Sequence, residues 1–141
     1  MDEQITPTSL RVIMNKALKT EGLGFTVLVT DDSKLGRDAA KKAIVEAGLH
    51  KVAFVEASNG ERALEVLRSE KVDLLLLDIH MPIMNGDRVL DAMAADADLR
   101  QIPTFIVSTE GSWAKSASWE PMETVAFVKK PVTSDTFKTL F

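Results

Sequence analysis

Five polar residues follow apolar runs of the chain, each at the point where a run ends: Asp31, Asp32, Asp78, Ser108 and Lys130. Carboxylates, a hydroxyl and an ammonium group gathered at one place suit the transfer of a phosphoryl group. Positive charge there neutralises the phosphoryl oxygens while a positioned nucleophile attacks phosphorus. Asp78, which follows four consecutive leucines, is the candidate nucleophile and would become an acyl phosphate.

The three aspartates together predict a metal ion. Carboxylates within a few ångströms of one another repel strongly in a partly dehydrated site, so at neutral pH they need a compensating cation. Oxygen ligands without cysteine or histidine favour a hard ion such as Mg²⁺, which keeps some of its waters for a phosphate.

Each polar residue on its own has a plainer interpretation. Asp-Asp-Ser at 31–33 is a common helix cap, because these side chains accept hydrogen bonds from free backbone N–H groups. Lys130 would be a solvated lysine, and Ser108 with Thr109 a turn. Carboxylate, hydroxyl and ammonium groups at the ends of four different strands nevertheless favour a site for phosphoryl transfer.

The elements that must position these residues alternate along the chain. Five short apolar runs rich in β-branched residues predict strands over 25–30, 52–57, 72–78, 104–109 and 124–129. Helical spacing of apolar residues separates the runs, as in Ala63, Leu64 and Leu67. Because each run is apolar on both faces, the pattern predicts an α/β fold with a parallel, doubly wound sheet. In such a sheet, ligands bind at the carboxyl ends of the strands.

Composition narrows the kinds of function. The 141 residues suit a single domain, and the net charge of −4 offers no basic surface for nucleic acid. There are no cysteines, no apolar run long enough to cross a membrane, and an acidic, polar N-terminus unlike a signal peptide. We therefore expect a soluble, cytoplasmic protein.

Four sequence blocks together resemble a known family. The blocks VLVTDDS, LLLLDIHMPIMNG, FIVST and VKKP, with their spacing over about residues 25–134, are similar to the signature of the response-regulator receiver domain of two-component signalling, including the chemotaxis regulators. The resemblance implies a flavodoxin-like (βα)5 fold with strand order 2-1-3-4-5. It also implies a signalling domain whose only chemistry is to accept and lose its own phosphoryl group, and not an enzyme.

The resemblance assigns roles to the site residues. It implies that Asp78 accepts the phosphoryl group from a histidine kinase or a phosphotransfer protein. Mg²⁺ would be held by Asp31, Asp32 and Asp78, with the backbone carbonyl of His80 completing the metal site.

A second group of residues would carry the signal. Ser108 takes the position of the family's switch hydroxyl, Lys130 that of the phosphoryl-binding lysine, and Phe127 that of the switch aromatic. Output would pass through the face formed by the fourth helix, the fifth strand and the fifth helix. Phenylalanine lacks a tyrosine hydroxyl, so Phe127 is expected either to switch by packing alone or to be a plain core residue.

Two variable positions flank the predicted site. His80 and Glu110 could form an ion pair over the phosphoryl group and slow its hydrolysis, or they could be two solvated residues at the rim.

The two ends depart from the family pattern. Residues 1–24 form an extension predicted to be an amphipathic helix, followed by a receiver domain over 25–141 with a short fifth helix. The extension would cover surface left bare by the short helix, within one chain or across a homodimer. The short end is equally expected if an output domain followed it.

Two other functions stay open at this point. A pseudo-receiver would bind its output partner constitutively, without phosphorylation. The second is a Mg²⁺-dependent phosphatase that uses an aspartyl-phosphate. Enzymes of this kind that resemble haloacid dehalogenases need a second acid two residues after the nucleophile, where this chain has His80.

Overall fold

Strands and helices alternate in a computed structural model, which describes residues 25–48, 51–79, 81–108, 125–129 and 133–134. The described elements, in chain order, are β1 (Phe25–Thr30), α1 (Lys34–Glu46), β2 (Val52–Ala57), α2 (Gly60–Ser69), β3 (Leu74–Asp78), α3 (Gly86–Ala94), a short 3-10 helix (Leu99–Gln101), β4 (Thr104–Ser108) and β5 (Val125–Lys129). Each of the five predicted strands is therefore formed.

The five strands make one parallel sheet in the order β2-β1-β3-β4-β5. The predicted flavodoxin-like α/β fold is confirmed. The central strand is β3, and on one side of it Thr30 of β1 lies opposite Leu77. On the other side of β3, Asp78 lies opposite Val107 of β4. The carboxyl ends of β1 and β3, where the three aspartates lie, are therefore neighbours.

The core consists of two apolar layers, one on each face of the sheet. Successive side chains of β3 point to opposite faces, so Leu74 and Leu76 join the layer that contains buried residues of α1. Leu75 and Leu77 join the layer that contains buried residues of α2 and α3. The predicted helical stripes are buried as expected, including Ala63, Leu64 and Leu67.

The expectation that every strand is buried on both faces was wrong for β2. This strand is at one edge of the sheet and has a neighbouring strand on one side only. Ala53 and Glu56 are exposed, and Val52, Phe54 and Val55 are half-buried. Glu56 can therefore remain charged and pair with cationic side chains of α1.

Strand β3 begins two residues later than predicted, at Leu74 instead of Val72. The cause is Asp73, whose carboxylate accepts a hydrogen bond from the Thr26 backbone N–H at 2.8 Å. The Asp73 N–H in turn donates to the Thr26 carbonyl at 2.8 Å. A short polar side chain that binds nearby backbone in this way competes with regular strand pairing.

Three helices begin on polar caps in the loops that follow β1, β2 and β3. The side chains of Ser33, Asn59 and Asn85 accept hydrogen bonds from the first turns of α1, α2 and α3. In a parallel α/β fold these helix starts lie at the carboxyl edge of the sheet. The loops at that edge are therefore held in place by capping.

Several predictions lie outside the described residues. They are the N-terminal helix within 1–24, the fourth helix, the fifth helix beyond Ser134, and the C-terminal end of the predicted receiver domain. Among the described helices, none is both long and apolar enough to cross a membrane.

Candidate functional site

The structure brings three carboxylates together at the carboxyl edge of the sheet. One carboxylate oxygen from each of Asp31, Asp32 and Asp78 lies within 4.8 Å of the other two. Asp31 and Asp78 are buried, whereas Asp32 is exposed. Like charges at this separation, two of them shielded from water, favour a bound cation.

The loop that carries Asp31 is fixed by hydrogen bonds on both sides of it. The Asp31 N–H donates to the Ala57 carbonyl at 3.1 Å, which continues the pairing of β1 with β2 beyond the end of the strand. The Asp31 carboxylate accepts from the Ser33 N–H at 2.9 Å. The Ser33 hydroxyl accepts from the Gly36 N–H at 3.2 Å and caps α1. The capping interpretation of this motif is thus correct, and it is compatible with an acidic site.

Asp78 is held at the end of a buried strand. All five residues of β3 are buried. Behind Asp78, the Gly86 N–H donates to the Ile79 carbonyl at 2.9 Å, and α3 begins at this glycine. A Cβ at position 86 would lie 2.8 Å from the Asp78 carbonyl oxygen. Only glycine allows α3 to start so close to the strand end.

The loop between β3 and α3 is held at a second point by Gly60. The Gly60 N–H donates to the Met84 carbonyl at 3.0 Å, and a Cβ at position 60 would clash with that oxygen. Within this loop Ile83 adopts a positive φ of 67°, which costs energy for a β-branched residue. The two glycine contacts hold the loop in this conformation.

The remaining predicted site residues are placed by backbone alone or lie beyond the described residues. Ser108 ends β4, next to Val107, the partner of Asp78, and lies opposite Lys129 of β5. Phe127 lies in β5, opposite Ile106. His80, Glu110 and Lys130 lie outside the part of the chain that the structure describes, so their predicted roles stay predictions.

A set of ion pairs joins α1 to β2 beside the acidic site. Glu56 accepts hydrogen bonds from Arg37 at 2.8 Å and from Lys41 at 3.0 Å, and both lower the pKa of the Glu56 carboxyl. The hydrogen bond with Glu56 raises the pKa of Lys41. Within α1 itself, a hydrogen bond from Lys34 at 2.9 Å lowers the pKa of the Asp38 carboxyl.

Two residues in contact with Asp31 were not predicted from the sequence. They are Gly36 and Arg37, in the first turn of α1. A glycine in a predicted helix was the only sequence signal, since it weakens the helix and therefore needs a reason. Arg37 gave none, because a charged residue on a helix is ordinarily solvated.

The fold and the site together define a class of protein. A five-stranded parallel sheet in the order 2-1-3-4-5, with an acidic pocket at its carboxyl edge, is typical of phosphorylation-dependent signalling domains. The model of the response regulator receiver domain family matches residues 27–141, and the chain belongs to that family.

Individual relatives agree with this assignment. The chain is 30% identical over 112 residues to the chemotaxis protein CheY of Pseudomonas aeruginosa, which covers 79% of this chain and 89% of that protein. The solved structure of the chemotaxis response regulator CheY4 of Vibrio cholerae superposes with a TM-score of 0.68 at 26% identity, and covers 82% of this chain and 95% of that one.

A third relative is a much longer protein. The autoinducer 1 sensor kinase/phosphatase LuxN of Vibrio campbellii is 39% identical over 61 residues, which is 43% of this chain but 7% of LuxN.

Receiver domains are signalling domains and not enzymes in the usual sense, and this chain is a receiver domain of two-component or chemotaxis signalling.

Proposed function

We propose that this protein is a phosphorylation-controlled receiver in which Asp78 accepts a phosphoryl group from a phosphohistidine of a histidine kinase or phosphotransfer protein. The observation that carries this proposal is the position of Asp78, buried at the end of β3 and gathered with Asp31 and Asp32. A carboxylate oxygen of Asp78 would attack phosphorus and form a C–O–P bond. The P–N bond to the donor imidazole would break, and the imidazole would leave with its electron pair and take up a proton.

The three carboxylates fit Mg²⁺ by their chemistry. They offer only oxygen ligands, and in the described part of the chain no cysteine or histidine joins them. Receiver domains bind Mg²⁺ in an acidic pocket of this kind. Asp31, Asp32 and Asp78 would hold the ion, with the backbone carbonyl of His80 as a further ligand. When bound, Mg²⁺ would offset the negative charge that carboxylate and phosphoryl group share.

The remaining predicted residues would convert phosphorylation into a signal. A phosphoryl group adds up to about two negative charges and strong acceptor oxygens at Asp78. Lys130 would pair with these oxygens, and the Ser108 hydroxyl would donate to them and move the loop after β4. The pairing of β4 with β5 supports this route, since Phe127 lies on the strand next to Ser108. The surface formed by the fourth helix, β5 and the fifth helix would then change and bind the output partner. Phe127 would contribute to this change by its packing alone, because it has no hydroxyl group.

The proposal is tested by incubation with acetyl phosphate and Mg²⁺, followed by intact mass measurement. We expect the wild-type chain to gain the mass of one phosphoryl group and the variant Asp78→Asn to gain none. Asp91→Asn is the matched control, because Asp91 is an exposed aspartate of α3, and it should be phosphorylated like the wild type. Chelation of Mg²⁺ should abolish the adduct.

Other results would point to other functions. A folded wild-type chain without an adduct would contradict the proposal and favour a pseudo-receiver that binds its partner constitutively. Repeated turnover of a small phosphate ester would favour a phosphatase.

A further inference from the structure

The backbone of Asp31 is held by an arginine of the neighbouring helix. The Arg37 guanidinium donates from Nη1 to the Asp31 carbonyl oxygen at 2.8 Å and from Nε to the Glu56 carboxylate at 2.8 Å. Its side chain is only 16% exposed. A planar guanidinium can hold two acceptors in a fixed relation, which an ammonium group cannot do.

These contacts close a ring of bonds around the end of β1. The Asp31 N–H donates to the carbonyl of Ala57, and Ala57 follows Glu56 in β2. One hydrogen bond therefore joins Asp31 to Ala57, and the Arg37 side chain joins the neighbouring residue, Glu56, back to Asp31. Both polar groups of the Asp31 peptide backbone are thereby tied to the edge strand or to α1.

The side chain of Asp31 is placed by the absence of a side chain at Gly36. A Cβ at position 36 would lie 2.9 Å from Asp31 Cγ and 3.3 Å from Oδ1, and would clash with Oδ2. The carboxylate therefore occupies space that any other residue at position 36 would fill. Glycine weakens a helix relative to alanine, and Gly36 lies in the first turn of α1. Its presence costs helix stability and gives room to a carboxylate of the acidic site.

From these contacts we infer that Gly36 and Arg37 are positioning residues that set the affinity of the acidic site for Mg²⁺ through Asp31. Gly36 leaves room for the carboxylate, and Arg37 holds the backbone that carries it. Neither contact with Asp31 supplies a ligand atom, so both residues act through its position. The inference rests on the proposed function, in which Asp31 is a metal ligand.

The first test is Mg²⁺ titration of the full chain by calorimetry, with the melting temperature of each variant measured in parallel. Gly36→Ala should weaken Mg²⁺ binding by about tenfold, the lower end of the loss of about 10–100-fold that follows when the orientation of a metal ligand is disturbed. Its melting temperature should change little, because alanine favours the helix and offsets the displacement of the Asp31 carboxylate, which is a side chain and not backbone. Leu35→Ala changes an exposed residue of the same turn and should leave Mg²⁺ affinity unchanged.

The second test compares two cations that share one partner. Arg37→Gln and Lys41→Gln each remove one positive charge and one hydrogen bond to Glu56, but of the two side chains only that of Arg37 is bonded to Asp31. Arg37→Gln should weaken Mg²⁺ binding several-fold, whereas Lys41→Gln should bind Mg²⁺ like the wild type. If Arg37→Gln also lowers the melting temperature, the Gly36→Ala result still decides, because that substitution removes no donor or acceptor.

The outcomes separate this inference from the proposed function. Wild-type binding of Mg²⁺ with unchanged affinity in Gly36→Ala or Arg37→Gln would overturn the role of that residue and leave the proposed function intact. A wild-type chain that does not bind Mg²⁺ would overturn both.

Discussion

Two buried threonines of the sheet differ in how their hydroxyl groups are satisfied. Thr104 is fully buried, and its Oγ1 donates to the Ile102 carbonyl at 3.0 Å. Thr30 is 2% exposed, and its Oγ1 has no hydrogen-bond partner among the described residues. A buried polar atom without a partner costs free energy, whereas a satisfied one is close to neutral or stabilising.

This difference predicts opposite effects of the same substitution. Thr30→Val should raise the free energy of unfolding by about 1 kcal/mol, because it removes a buried hydroxyl that has no partner among the described residues and keeps the shape of the side chain. Thr104→Val should lower it by about 1 kcal/mol, because it leaves a buried acceptor with one partner fewer. Urea unfolding of both variants measures the two values. Changes of the same sign would contradict the assignment of the two hydroxyl groups.

The residues of the candidate site differ in how far the sequence could predict their position. The gathering of Asp31, Asp32 and Asp78 could be predicted because they follow apolar runs, and the carboxyl ends of neighbouring parallel strands meet at one edge. Gly36 and Arg37 could not, because their contacts with Asp31 depend on how α1 packs against β1 and β2. That packing angle and register are tertiary properties, which a helical repeat in the sequence does not contain.

At the scale of elements, the start of α3 depends on one glycine. A Cβ at position 86 would lie 2.7 Å from Ile79 Cα and 2.8 Å from the Asp78 carbonyl oxygen. Both are backbone atoms, so the crowding cannot be relieved by a side-chain rotation, and α3 or the end of β3 must move.

Gly86→Ala should therefore lower the free energy of unfolding by about 1–3 kcal/mol, the usual cost of overpacking. It should also slow phosphorylation of Asp78 by acetyl phosphate. Gly36→Ala is the control for stability, since its new Cβ meets side-chain atoms of Asp31 and not backbone. Equal melting temperatures for the Gly86→Ala variant and the wild type would show that α3 can shift without cost.

The ion pairs between α1 and β2 predict how stability changes in acid. Hydrogen bonds from Arg37 and then Lys41 hold the pKa of Glu56 below its ordinary value of 4.5. A carboxyl group with a lowered pKa in the folded state stabilises the fold fully above its ordinary pKa. This contribution is lost as the pH falls through the lower pKa of the folded state.

Glu56→Gln should consequently lose less stability than the wild type between pH 5 and pH 3, about the range in which an aspartate or glutamate with a lowered pKa takes up its proton. The difference should be small and should shrink in high salt, because the Glu56 side chain is 39% exposed. Urea midpoints across this pH range measure it. Glu61→Gln, at an exposed glutamate of α2 without an ion pair among the described residues, should follow the wild-type curve. An identical acid slope in Glu56→Gln and wild type would contradict the role of these pairs.

The elements themselves were largely predictable from the sequence. Strands β1 and β2 begin and end where the apolar runs do, because turn residues bound both runs. The start of β3 was not predicted, because the hydrogen bonds of Asp73 with Thr26 form only when β1 is already beside it. The exposure of β2 was not predicted either, because a run of apolar residues does not show whether its strand is central or at an edge.

At the scale of the whole molecule, β3 joins two apolar layers that share no side chains. Leu76 belongs to the layer on the α1 face, and Leu77 to the layer on the face of α2 and α3. Both layers depend on the same backbone, so neither can lose its order without disturbing the other.

Leu76→Ala and Leu77→Ala should each lower the free energy of unfolding by about 2–5 kcal/mol, since each would leave a cavity in a buried layer. Both variants should unfold in one transition, with the same midpoint by circular dichroism and by fluorescence. Leu35→Ala, at an exposed leucine of α1, should change stability little. Two separate transitions in either variant would show that the layers unfold independently.

The pairing of β1 with β3 has a consequence for the protein while it is being synthesised. Asp31 and Asp32 leave the ribosome directly after β1. Thr30 pairs with Leu77 of β3 only after α1, β2 and α2 have been made. A chain that ends at Ala57 carries Asp31 and Asp32 without the strand that brings Asp78 to them. Incomplete chains therefore lack the gathered acidic pocket, and a phosphodonor meets it only on molecules whose central strands have already been synthesised and paired.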